Sequence, residues 1–218
     1  MKDLVVAIDG PAGAGKSTVA QLAAKELGYT YIDTGAMYRA VAWKTLQQGK
    51  PVTDDLILSV LPDIEVDLQY KEGKTRVFVD GREVTGEIRT PEINKIVSQV
   101  AMLGPVREKM VDLQRKMGER GAVLMDGRDI ATHVFPNADV KIFLTASVEE
   151  RARRRWKEWK EKGYDVELEK IKVDIAARDK ADSEREISPL VQAEDAVLLD
   201  TTGMSIEEVL AKILEMCR

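Results

Sequence analysis

The chain has 218 residues, 44% hydrophobic and 33% charged, which describes a folded globular protein with enough length for a sizeable core and excludes a disordered one. A formal net charge of −5 argues against a general nucleic-acid binder, and a monomer without nucleic-acid or membrane partners is expected. One cysteine, Cys217, cannot form an internal disulfide, and the first apolar run is too short for a signal peptide or membrane span, so a cytoplasmic protein is expected.

That first run, Leu4–Ile8, reads as a buried strand. It leads directly into Gly10-Pro11-Ala12-Gly13-Ala14-Gly15-Lys16-Ser17, which matches G-x-x-x-x-G-K-[ST], and Thr18-Val19-Ala20 continues as a helix. Strand, glycine-rich turn and helix in this order make a phosphate-binding loop. Gly10, Gly13 and Gly15 permit backbone conformations closed to residues with a Cβ, so successive N–H groups can face an anion at the positive end of the helix. Lys16 supplies a mobile positive charge for the β- and γ-phosphates, and the Ser17 hydroxyl suits Mg²⁺. The chemistry is that of a nucleoside triphosphate, with ATP and Mg²⁺ as the expected pair.

A short apolar stretch, Tyr29–Ile32, precedes Asp33-Thr34-Gly35-Ala36-Met37-Tyr38-Arg39, where the Thr34 hydroxyl and the Arg39 guanidinium suit a second phosphate. Ile64–Tyr70 alternates strictly and Lys71–Lys74 makes a turn. Thr75–Asp80 alternates again, and Asp80-Gly81 turns into Arg82–Thr85, giving an antiparallel three-stranded meander inserted in the α/β rhythm. Thr90 before Pro91-Glu92 reads as a helix start.

Ala122–Met125 is a further buried strand, and Asp126-Gly127-Arg128-Asp129 follows at its carboxyl end, where ligands of open α/β sheets sit. Asp126 suits a metal contact through water, while Arg128 and Asp129 suit the substrate. After the Val140–Leu144 strand, Ser147 and Glu150 fit a capping box, and Gly163 a helix stop. Within that helix Arg151, Arg154 and Arg155 share one face. A run of charges is commonly a solvated face, but beside a phosphate loop guanidinium groups stabilise a phosphoryl in transfer, and a cover carrying them excludes water. Farther on, Arg178, Asp182 and Arg185 share a helical face. Val197–Leu199 is the last strand and Ser205 caps the last helix, with Glu208 completing a box. No Asn/Thr-Lys-x-Asp element for guanine is present: Asn94-Lys95-Ile96-Val97 lacks the aspartate.

Together these strings resemble the bacterial cytidylate kinases among the P-loop nucleoside monophosphate kinases. Gly86–Thr90, Ser98–Ala101 and Val106–Glu108 add to the match, which runs through most of the chain. The resemblance implies a three-layer α/β/α fold with a central parallel five-stranded sheet. It also implies a core of residues 1–33, 101–150 and 166–218, a monophosphate-binding lobe at 34–100 with its β insert at about 64–85, and a helical lid at 151–165. It implies transfer of the γ-phosphate of ATP to CMP or dCMP. Thr34 and Arg39 would then hold the acceptor phosphate, although the family carries serine where this chain has Thr34. Ser98, Arg107, Asp129 and Arg185 would read cytosine, and Arg178 with Asp182 the ribose. Arg128, Arg151, and Arg154 or Arg155 would surround the transferred phosphoryl. Two other readings stand beside this one: a small P-loop kinase for another acceptor, and a nucleotide switch that hydrolyses slowly.

Overall fold

The computed structural model describes residues 3–119 and 121–218. Five parallel strands form the central sheet: β1 (Val5–Asp9), β2 (Thr30–Asp33), β6 (Val123–Gly127), β7 (Val140–Thr145) and β8 (Val197–Asp200), in the order β2-β6-β1-β7-β8. These are the five apolar runs of the sequence. Helices on both faces explain why the central strands carry no polar alternation. On one face Val6, Ile8, Leu124, Ile142 and Leu144 pack against α1 (Lys16–Leu27) and α8 (Ile206–Met216). On the other, Ala7, Ile32, Val123 and Met125 meet Val111 of α5 (Gly104–Gly118) and a π-type turn at Ile130–Val134. Truncating a fully buried member such as Ile142 to alanine costs about 2–5 kcal/mol.

The inserted meander is present as β3 (Val66–Lys71), β4 (Lys74–Val79) and β5 (Arg82–Glu83). Its hairpins close on Glu72-Gly73 and Asp80-Gly81, all four with positive φ, the geometry that matches strand twist. Val66, Val77 and Val79 point from it into a cluster with α2 (Thr34–Leu46), α3 (Asp54–Ser59) and α4 (Pro91–Met102), and Val106 and Met110 of α5 join the same cluster. The meander is therefore packed onto the lobe rather than hung from it.

Helix ends follow the sequence with one difference. Thr90 caps α4 by accepting from Ile93 N, and Ser205 with Glu208 forms a complete capping box on α8. At α6 (Val148–Glu161) the expected box is only half formed. Ser147 Oγ accepts from Glu150 N, but Ser147 N donates to Thr202 Oγ1 and the Glu150 carboxylate turns to Arg154. Gly163, with φ 81°, ends this helix as expected. Helix α6 packs on α7 (Leu168–Glu184) through Ala152, Ile171 and Ile175.

Candidate active site

The carboxyl ends of β1, β2 and β6 and the amino end of α1 open into a cavity of about 620 Å³. Residues Gly13–Thr18 line it, while Gly10 and Pro11 form the root of the loop and Ala12 faces a second cavity. Gly10, with φ 149°, is fixed by close approach, since a Cβ there would lie 1.9 Å from the Leu144 carbonyl oxygen. Gly15 at φ 91° takes the N-cap position of α1 in a left-handed conformation and offers no side chain to its amide groups. The first-turn N–H groups of α1 therefore stay directed at the cavity, as an anion requires. Lys16 Nζ donates to Pro11 O at 2.8 Å. Burial, then the Arg128 guanidinium, holds the Lys16 ammonium well below its usual range, against the opposing pull of Asp126 and Asp9.

Asp126 is buried at the end of β6 and accepts from Ser17 Oγ at 3.1 Å and from Tyr31 Oη at 2.7 Å. Burial, and then the neighbouring Asp33 carboxylate, pushes Asp126 up to about 6. Two acidic groups and a hydroxyl make a hard-oxygen corner beside the phosphate loop, the donor chemistry that Mg²⁺ takes when phosphate supplies its remaining ligands. Among the described residues there is no group of three or more His, Cys, Asp or Glu that could hold a metal ion.

Arg39, Arg89, Arg128, Arg154, Arg155 and Arg178 also line this cavity. Burial and mutual repulsion act on several of them together. Burial, then Arg178, Arg155 and Arg89, drives Arg39 well below its usual range, and burial with Arg128 lowers Arg178 to about 10. Such a concentration of cations is stable only with anions to face them. Arg128 Nε donates to Asp182 at 2.9 Å, and Arg178 Nε lies 4.0 Å from the same carboxylate. Burial opposes the ionisation of Asp182, but the two guanidiniums outweigh it and hold the carboxyl below its usual range.

The three lid arginines separate into distinct environments. Arg151 is buried and fully engaged: Nε donates to Ala146 O (2.8 Å), Nη1 to Ala12 O (3.0 Å), and Nη2 pairs with Asp179 (2.6 Å). Arg154 binds Glu150, Ala14 O and Thr201, tying α6 to the loop. Arg155 instead reaches both cavities and stacks over Trp159 at 5.7 Å. Arg154 and Arg155 line the first cavity, and of these Arg155 also lines the second.

Thr34 is buried, and its hydroxyl donates to Asp126 O at 2.7 Å, so it braces β6 from the start of α2. It is absent from the lining of the cavity, where Asp33, Gly35 and Arg39 stand. Arg89, to which sequence reading gave no role, occupies that wall. Its Nη2 pairs with Asp33 Oδ2 at 2.6 Å, and this carboxylate holds Arg89 above its usual range. The signal was its place in the Gly86–Thr90 string, but only the fold brings that 3₁₀ turn to β2.

Around Asp129 a third group gathers, all of it buried. Arg107 Nη2 pairs with Asp129 Oδ2, and Arg185 Nη2 lies 3.7 Å from Oδ1. Arg107 also stacks over Tyr38 at 5.5 Å and donates to Ala101 O, while Arg185 Nε donates to Ser188 O at 2.6 Å. Among the described residues, buried polar atoms without a hydrogen-bond partner collect here: Tyr38 Oη, Arg107 Nε and Arg185 Nη2. Ser98 of α4 stands apart from this cluster, on the second cavity of about 760 Å³ between α4 and α7, which shares Arg155 and Arg178 with the first.

A parallel sheet with a phosphate loop opening into a cavity lined by converging arginines defines a P-loop phosphotransferase. Residues 6–218 match the cytidylate kinase family model. The chain is 56% identical over 98% of its length to a cytidylate kinase of Bacillus subtilis and 55% identical over 99% to one of Bacillus velezensis, covering 96% of each. It belongs to the cytidylate kinase family. A crystal structure of an uncharacterised protein from Eubacterium ventriosum shares the fold, with a TM-score of 0.53 at 11% identity, covering 98% of this chain and 97% of that one.

Proposed function

We infer that this chain transfers the γ-phosphate of ATP to CMP or dCMP, giving ADP and CDP or dCDP. The observation that carries the reading is the buried Asp129 set between Arg107 and Arg185, next in sequence to Arg128, which lines the cavity of the phosphate loop. Cytosine presents acceptors at O2 and N3 and a donor at its exocyclic amine, so a carboxylate flanked by guanidiniums complements it. Uracil would turn an oxygen toward that carboxylate, leaving buried polar groups unpaired.

The loop amides and Lys16 hold the donor phosphates. Arg39 and Arg89, on the wall nearest Asp33, hold the acceptor phosphate. Arg128, Arg155 and Arg178 stand between them and neutralise the charge that spreads over the phosphoryl in flight. Arg151 and Arg154 act by fixing α6 against the loop. Arg178 and Asp182 serve the ribose, with Asp182 accepting from its hydroxyls, and Ser98 meets the base as the lobe at 34–100 closes under the lid at 151–165. An acceptor phosphate is already anionic, so the reaction needs positioning and electrostatics rather than a side-chain base. Ser17 and, through water, Asp126 would hold Mg²⁺, which would supply positive charge to neutralise the donor phosphates. We read the enzyme as a cytoplasmic monomer without nucleic-acid or membrane partners, on its acidic balance and single cysteine.

Coupled ADP release with Mg²⁺-ATP against CMP, dCMP, UMP, AMP and shikimate, beside an acceptor-free control, tests this reading. Turnover is expected to be highest on CMP and dCMP. Strongest turnover on another acceptor refutes the base-reading set, and rates equal to the control throughout refute phosphotransfer.

A further inference from the structure

Asp129 stands at the N-cap position of the Ile130–Val134 turn, a position where aspartate ordinarily folds its carboxylate onto the first free backbone N–H groups. Here it makes no such bond; both of its oxygens face Arg107 and Arg185. The first two N–H groups of the turn are met from another strand. Asp9, the last residue of β1, accepts from Ile130 N at 2.9 Å through Oδ1 and from Ala131 N at 2.8 Å through Oδ2. Asp9 is buried, so two backbone donors that would otherwise compete for Asp129 are satisfied without it.

We propose that Asp9 is a positioning residue for acceptor recognition: by capping the 130–134 turn from β1, it leaves the Asp129 carboxylate free to read the nucleobase. The placement has a second consequence. Asp9 immediately precedes Gly10, so the residue that anchors the root of the phosphate loop also sets the register of the base-reading turn. The inference rests on the reading of Asp129 as the base-reading group. Without Asp9 the turn regains two unmet donors within a short reach of Asp129, and the carboxylate is drawn away from Arg107 and Arg185.

The test is the ratio of kcat/KM for CMP over UMP, measured with KM for ATP, in Asp9→Asn, Asp129→Asn and the double variant. Asn offers one acceptor oxygen and an amide that abuts the second N–H. The ratio is expected to fall about tenfold in Asp9→Asn, mostly through KM for CMP, with KM for ATP within twofold. In the Asp129→Asn background the further change of Asp9 is expected to leave the ratio within twofold, because the two residues act along one route. An unchanged ratio in Asp9→Asn, with both acceptors slowed alike, overturns the proposal, as does a further fall of the ratio in the double variant. Should Asp9→Asn not fold, Asp9→Glu carries the test through its displaced carboxylate: a threefold or greater fall supports the proposal and an unchanged ratio overturns it. A wild-type protein with no preference for CMP would refute the reading of Asp129 itself, separately from the role of Asp9.

Discussion

The donor half of this site and the acceptor half are encoded in different ways. The donor half is one unbroken stretch, Gly10–Thr18, whose function comes from backbone: glycine conformations and helix amides do most of the binding, and Lys16 and Ser17 add one charge and one hydroxyl. The acceptor half we propose draws on α5, the turn after β6, and the end of α7, and depends on buried side-chain pairs that only the tertiary fold creates. A local backbone site tolerates little change in conformation yet is indifferent to the acceptor. On this proposal, specificity resides in the dispersed side-chain site. Changes in the first should alter turnover on every acceptor alike, and changes in the second should alter the choice among acceptors.

Lys16→Ala gives the largest expected effect. Its loss should lower turnover by about 10²–10³-fold, the usual cost of removing a preorganised charge at a developing anion. The same factor is expected with CMP and UMP; a loss confined to one acceptor would break the division between the halves.

Asp9 joins the halves, and its titration offers the next test. Burial, outweighing its two backbone hydrogen bonds, raises it from 3.8 to about 6. Because the folded pKa lies above the unfolded one, protonation favours the fold. The contribution is fully present below pH 3.8 and is lost as pH rises to about 6, in all about 2–3 kcal/mol. In denaturant melts across pH 4–6.5 the wild type should lose more stability on going up than Asp9→Asn, by about that amount. Parallel curves would remove the carboxylate from this role.

Arg89→Ala is expected to be milder. One charge-assisted hydrogen bond to a phosphate is worth roughly 1.5 kcal/mol, so KM for CMP and for UMP should each rise about tenfold with KM for ATP unchanged. An equal rise in KM for ATP would move Arg89 to the donor side.

The same division governs how much was legible in the sequence. The phosphate loop, five buried strands and the meander could be read because each depends on neighbours in sequence: glycine spacing, apolar runs, two-residue turns. Charge clusters read less well. The spacing of Arg151, Arg154 and Arg155 puts them on one side of α6, yet Arg151 is spent on Ala12 O, Ala146 O and Asp179, while Arg155 faces the cavity. Helical periodicity gives direction but not the identity of what lies opposite. Arg89 and Asp9 were silent for the same reason, since β2 and the 130–134 turn, their partners, are distant in sequence. The Ser147 box failed at its second bond because Thr202, also remote, offered Ser147 N another acceptor.

The most direct test of the account is the CMP-over-UMP ratio of kcat/KM in Asp129→Ala, measured together with KM for ATP. Loss of one partner of a buried pair lowers stability by about 3–5 kcal/mol, but both acceptors are compared on the same folded protein, so the ratio is insensitive to that. The ratio is predicted to fall by about tenfold or more while KM for ATP stays within twofold. A wild-type ratio in this variant would contradict the assignment of acceptor choice to the Arg107–Asp129–Arg185 cluster.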